Sequence, residues 1–178
     1  MRYFLLLVLF ISSCGTPSVR PINPTDPLAP IPIHTFKVKY DKAFEEYVSD
    51  FEDDWGLDIK DLVIEFGEIK QNDDTSTVTL GICKRRNNTT PNIVIDPTTW
   101  PNLAETRKKL LIYHEIGHCV LHRAHIKGTN TSIMNPILIN STVFEDDEGF
   151  FIDELFDETK YGDWGVETPS LCRHSRGA

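Results

Sequence analysis

Positive charge is scarce in this chain. Its 178 residues carry 18 Lys and Arg against 27 Asp and Glu, a formal charge of −9, and no Lys/Arg-rich face stands out. A surface that grips a phosphate backbone needs a basic patch, so nucleic acid is excluded as the main partner. Long apolar runs are equally few. The single one stands at the extreme N-terminus, which excludes a multi-span membrane protein. Internal repeats are absent, and so is low-complexity sequence apart from one proline-rich stretch. What remains is room for one domain of ordinary size, with 40% hydrophobic residues to build a core.

The N-terminal run has the form of a secretory signal: Arg2, then apolar residues from Phe4 to Ile11, then Ser12 and Ser13. As a helix it would span about 12 Å, far short of a hydrocarbon core of about 30 Å. Ile11-Ser12-Ser13-Cys14-Gly15 resembles the lipobox of bacterial lipoproteins, in which the cysteine receives diacylglycerol. The plainer alternative is a secreted protein with Cys14 as an ordinary residue. The resemblance implies residues 1–13 as a signal peptide and Cys14 as a lipidated, palmitate-bearing anchor in a bacterial envelope. Gly15 after the cysteine, where Asp is absent, resembles the outer-membrane sorting pattern. Six of the 11 prolines lie between Pro17 and Pro32, so residues 14–33 read as an extended tether. Residues 34–178 are then the folded domain.

Within the domain, Phe44, Tyr47, Val48, Phe51 and Trp55 form a helical apolar stripe that Gly56 ends. Leu62–Phe66 reads as a strand, residues 71–76 as a turn, and Val78–Cys83 as the hairpin partner. Ile93–Ile95 is a short buried strand. A second helix is expected from near Pro101 to about Leu121. Gly128–Asn140 and Glu145–Gly149 look like loops, and Phe150–Thr159 like a short final helix. Helices flanking strands in this order indicate an α+β domain.

Chemistry concentrates in His114-Glu115-Ile116-Gly117-His118. On a helix, residues four apart differ by about 40° and 6 Å, so both imidazoles can reach one cation. Zinc accepts imidazole nitrogen and, in catalytic sites, commonly keeps three protein ligands and an open position. Glu115 is rotated by about 100° from His114, beside a cation and not on it, where it can take a proton from water. The bland reading is a solvated His-Glu-His face. Against it, the motif sits in an apolar stretch, Leu110–Leu121, where unpaired charge is costly, and four of the six histidines fall between 114 and 125. For the third ligand, His122 lies too far along an intact helix. His125 can reach only if the chain turns back after Leu121 or His122.

That arrangement resembles the metzincins, zinc peptidases with a H-E-x-x-H-x-x-G-x-x-H motif and a Met-containing turn beneath the metal. Ser132-Ile133-Met134-Asn135-Pro136 looks like such a Met-turn. His-Glu-Ile-Gly-His-Cys-Val-Leu-x-Arg-x-His, with Ser-Ile-Met-Asn downstream, is also similar to a group of bacterial metallopeptidase lipoproteins. The chain departs from the pattern twice: Leu121 stands at the glycine position, and His125 comes one residue late. The resemblance implies a small mixed sheet packed on an active-site helix, a Met-turn and a short C-terminal helix. It also implies one catalytic zinc held by His114, His118 and His125, with Glu115 as general base and Met134 in support. An antiparallel edge strand would line the substrate cleft, with Cys83–Arg86 and Asn92–Ile95 as candidates. The extra tyrosine ligand of some members is missing, since position 136 is proline.

Rival assignments are weaker. Glu154 on the final helix would be a third ligand of gluzincin type, against a bland reading as part of a solvated acidic face. Glu145-Asp-Asp-Glu148 lacks the glycine of a calcium loop and reads as charged surface. Glycosylation sequons at Asn88, Asn130 and Asn140 are discounted in a bacterial lipoprotein. With Cys14 lipidated, Cys83, Cys119 and Cys172 allow one disulfide and one free thiol. A Cys83–Cys119 bridge would pin the helix to the sheet, while Cys172 pairs with either or stays free. The expected activity is that of a membrane-anchored zinc endopeptidase acting on peptides or proteins. The alternative is a zinc-bearing surface lipoprotein that binds a protein partner with little turnover.

Overall fold

Leu110 to Cys119 is the apolar centre of the chain, and every residue of that stretch is buried. A helix that is apolar on all sides must be enclosed on all sides, so the rest of the domain is arranged around it. The computed structural model describes residues 36–71, 77–87, 89–126, 131–157, 159 and 170–175. All of them fall in one unit, Pro32–Ala178. The signal, Cys14 and the tether lie outside the described residues. Among the described residues, no helix is long and apolar enough to cross a membrane.

The chain is α+β. Strand β1 (Val38–Tyr40) leads through a 3-10 turn at Lys42–Phe44 into helix α1 (Glu45–Trp55). Strands β2 (Leu62–Phe66), β3 (Thr77–Lys84) and β4 (Asn92–Ile95) follow. Helix α2 (Glu105–Cys119) carries the His-Glu motif, and α3 (Ser141–Asp146), α4 (Glu148–Phe156) and β5 (Ser170–Ser175) complete the order. One mixed sheet has the order β1-β2-β4-β3-β5. Its first three strands are parallel, and β3 is antiparallel to both of its neighbours.

The expected hairpin between Leu62–Phe66 and Val78–Cys83 does not form. Strand β4 lies between them, paired in parallel with β2 and antiparallel with β3. Ile93, Val94 and Ile95 are buried in succession, the pattern of a strand covered on both faces, and the centre of a sheet is where such a strand belongs. The edge-strand expectation fails for Asn92–Ile95 for the same reason, whereas Lys84–Arg86 lie beyond the last pair of β3 with β5. Asn92–Ile95 is central, and β3 is flanked by β5 as far as the Cys83–Ser170 pair. The two edges are β1 and β5. Neither gave a strand signal, because short polar edge strands are set by pairing and not by their own hydrophobic pattern.

The 3-10 turn and helix α1 together present the expected stripe, with Phe44, Tyr47, Val48 and Phe51 buried and Trp55 partly so. Gly56 ends it in the left-handed conformation, φ 73°. Phe44 packs against Phe66 and Trp100, with ring centroids 4.7 and 5.1 Å away, and Phe51 against Tyr113 at 5.1 Å. Pro101 falls in a 3-10 turn, Trp100–Asn102, so α2 begins four residues later, at Glu105, than the sequence suggested. Asp96 steadies that turn by accepting from the hydroxyls of Thr98 and Thr99. Glu145–Gly149, expected as a loop, instead joins the end of α3 to the start of α4, with Asp147 between the two helices. Asn140 caps α3 by accepting from the Thr142 N–H at 2.9 Å, and the buried Phe144 packs on Phe151.

Candidate metal centre

His114 and His118 are one turn apart on α2 and are carried into the core with it, at 0% and 4% exposure. The helix ends at Cys119, two residues short of the expected Leu121. His122 then takes a left-handed φ of 58°, the sole non-glycine residue to do so among those described. The Arg123 N–H bonds back to the Gly117 carbonyl at 2.9 Å. This reversal carries His125 round to the other two histidines. The left-handed residue thus comes one position after Leu121, and His125 follows it by three, so turn and ligand are late by the same single residue.

The three Nε2 atoms converge. They are 2.9 Å apart between His114 and His118, and 3.1 Å from each of these to His125. Nδ1 of His114 faces the Ile133 carbonyl at 2.7 Å, and Nδ1 of His118 faces the Arg123 carbonyl at 2.6 Å. A carbonyl only accepts, so Nδ1 of both rings must donate, leaving Nε2 as a bare lone pair pointing inward. Burial, followed by the neighbouring histidines, holds His114 well below its ordinary range. Burial, followed by His125, lowers His118 to about 3. Lone pairs aimed at one another repel unless a cation lies between them. Tetrahedral coordination at about 2.0–2.1 Å sets ligand atoms roughly 3.3 Å apart, close to the spacing here. Among the described residues these three form the group that could hold a metal ion.

Glu115 turns towards the sheet. It is fully buried, and neither carboxylate oxygen has a hydrogen-bond partner. Burial pushes its carboxyl well above the usual range, and the backbone N–H of Cys83 opposes this only in part, without completing a hydrogen bond. Its neighbour on β3 is Gly81, where a Cβ would fall 2.9 Å from Oε1 and 3.1 Å from Cδ. Any larger residue would have to displace the carboxylate. Two residues on, Cys83 is joined to Cys119 by a disulfide with a Cα separation of 5.6 Å, which ties β3 to the end of α2. Both sulfurs being used, neither is open to Cys172. Arg85 adds a second tie, donating to the His118 carbonyl at 3.1 Å.

Met134 is fully buried beneath the helix, against Gly117. A Cβ at 117 would lie 2.6 Å from its sulfur and 3.2 Å from Leu155 Cδ1, so the glycine inside the motif is what lets the turn approach. The Met134 carbonyl accepts from the Ile126 N–H at 2.9 Å, one residue past His125.

The other candidates lie elsewhere. Glu154 is buried on α4 and accepts from the Ser132 hydroxyl at 3.0 Å, so it is neither a third ligand nor part of a solvated acidic face. His122 is exposed and outside the cluster. Glu145 accepts from Thr106 and Glu148 pairs with Lys109, with no converging set of oxygens. Sequence reasoning named Gly117 and Ser132 only as members of their motifs, without these contacts, and gave Gly81 and Arg85 no role. The glycines carried a signal, since glycine inside an apolar helix or strand marks a close approach. Ser132 and Arg85 carried none. Among known proteins, the chain matches no family model, no curated protein and no solved structure.

Proposed function

We propose that this chain is a zinc-dependent endopeptidase of metzincin-like fold, anchored to a bacterial envelope membrane through a lipid on Cys14. The observation that carries the reading is the convergence of three histidine Nε2 atoms, two of them on a helix whose intervening Glu115 is a buried carboxylate with no partner of its own. Three nitrogens from histidines fit a borderline-soft divalent cation that keeps an open position, and zinc is the one such sites most often take. His114, His118 and His125 would hold it. When bound, it supplies a Lewis acid that polarises a carbonyl and makes water nucleophilic near neutral pH. Glu115 takes the proton from the attacking water and returns it to the leaving amine. Burial raises its pKa, which makes the carboxylate a stronger base towards that proton. The Cys83–Cys119 bond and Arg85 keep the helix registered on β3, beside which Glu115 acts.

The second reading, a metal-bearing binding protein with little turnover, is favoured by two observations. Strand β5 already fills the outer edge of β3, where a peptide would add as a strand, and Glu115 is 0% exposed. Zinc content and casein cleavage decide between the two. An endopeptidase binds one zinc per chain, loses it in His125→Ala, and cleaves casein in a way that Glu115→Gln abolishes. Zinc bound without cleavage, in parent and variant alike, favours the binding protein. A parent that binds no zinc overturns both.

A further inference from the structure

The two carbonyls that orient His114 and His118 belong to separate loops, yet both loops are held by the last turn of α4. On one side, the Ser132 hydroxyl donates to Glu154 Oε2 and accepts from the Met134 N–H, each at 3.0 Å. The peptide between Ser132 and Met134 is therefore fixed at both ends, and its Ile133 carbonyl is the one that accepts from His114 Nδ1. On the other side, Arg123 donates from Nε to the Leu155 carbonyl at 3.2 Å and from Nη2 to the Phe156 carbonyl at 3.3 Å. The Arg123 carbonyl is the one that accepts from His118 Nδ1. Three consecutive residues, Glu154 to Phe156, thus anchor the sources of both orienting hydrogen bonds.

All these groups are buried: Ser132 at 1%, Glu154 at 5% and Arg123 at 9% exposure. A fold that needed only filled space there would use an apolar side chain, as Phe151 and Leu155 of the same helix do. Burying a carboxylate and a guanidinium is costly unless their hydrogen bonds fix something. What they fix here is the backbone that sets ring orientation and tautomer in two of the three histidines.

We propose that Ser132, Glu154 and Arg123 are positioning residues of the metal site, acting through the Ile133 and Arg123 carbonyls to hold His114 and His118 with Nδ1 protonated and Nε2 turned inward. The inference rests on the metal-site reading but reaches residues up to 40 positions away from the first ligand, on a helix that supplies no ligand itself. Groups that orient a metal's histidines change affinity by about 10–100-fold when they are lost.

The test is zinc affinity of the full chain in detergent, by competition with a chelating dye, together with long-range proton–nitrogen NMR of the metal-free protein. Ser132→Ala and Glu154→Leu are expected to weaken zinc by about 10–100-fold. Ser132→Thr, which keeps a hydroxyl, and Glu154→Gln, which keeps an acceptor, should stay within about threefold of the parent. In the NMR spectrum of the parent, His114 should carry its proton on Nδ1, and in Ser132→Ala it should become a mixture of tautomers. A general loss of stability would not produce that pattern of rescue and tautomer change. Equal zinc affinity in the parent, Ser132→Ala and Glu154→Leu overturns the inference while leaving the metal site standing. Should the truncating variants not fold, the parent spectrum decides, and a His114 protonated on Nε2 overturns it. A parent that binds no zinc overturns the metal-site reading instead, and the tautomer still reports on the positioning.

Discussion

Two buried glutamates separate two ways of using the interior. Glu154, on α4, has a hydroxyl to hold, and through it a turn of backbone. Glu115, on α2, has nothing to hold: both oxygens are buried without a partner, against a strand thinned to glycine to admit them. Buried polar groups are nearly always satisfied, and an exception needs a reason. On the turn side of α2 the acid stabilises geometry. On the sheet side the acid costs stability, as the proposed general base would.

The largest expected effect separates the two acids by activity. Glu115→Gln should lower casein cleavage by about 10²–10⁴-fold, the range for a lost general base, with zinc content unchanged. If Glu154→Gln lowers turnover as far while Glu115→Gln does not, the roles are reversed and the comparison fails.

Next in size is the disulfide that holds β3 on α2. A bridge across 36 residues of sequence contributes about 3–4 kcal/mol by loop entropy. Cys83→Ser with Cys119→Ser should therefore lower unfolding free energy by that order, measured in guanidinium. Gly117→Ala should cost about 1–3 kcal/mol, since its methyl group would meet Met134 at 2.6 Å. Shortening Met134 to alanine in the same chain should return part of that loss, and strict additivity would show that the contact does not constrain the turn.

The smallest effect sharpens the contrast through pH. In the metal-free protein, burial holds Glu115 above its ordinary value near 4.5. Between that value and the raised one, the folded state keeps a proton that the unfolded chain has lost. Its contribution is thus full below about pH 4.5 and is lost as pH rises through the raised pKa. Glu115→Gln removes that loss, so the variant should be the more stable at pH 7, by on the order of 1 kcal/mol, with a smaller advantage at pH 4. His118, lowered to about 3, works in the opposite direction: its contribution is present above about pH 6.5 and is lost as pH falls towards 3. The acidic limb should therefore survive in Glu115→Gln, and denaturant unfolding at three pH values checks both limbs.

Local patterning announced the helices that carry the core. The stripe from Phe44 to Trp55 and the apolar run around His114 are repeats of three and four residues, and short-range sterics suffice to read them. The pairing of His114 with His118, and the place of Glu115 beside them, follow from helical pitch alone. His125 was legible only as a condition, that the chain reverse after Leu121 or His122. No residue at 121 or 122 advertises a left-handed turn as glycine would, and the reversal rests on the Arg123–Gly117 bond and on contacts from Met134 and α4.

What the sequence determined by itself is the chemistry on offer: an α+β chain, an apolar helix with two histidines and a glutamate at fixed angles, and further histidines close behind. Tertiary structure alone decided the rest. It put β4 between two strands that sequence order would have paired, and laid the polar β5 along the outer edge of β3. It made Glu154 a support and not a ligand. The division has a physical cause. Helical angles are set by each residue's neighbours three and four places away, whereas strand order, turn closure and the satisfaction of a buried acid depend on partners tens of residues distant.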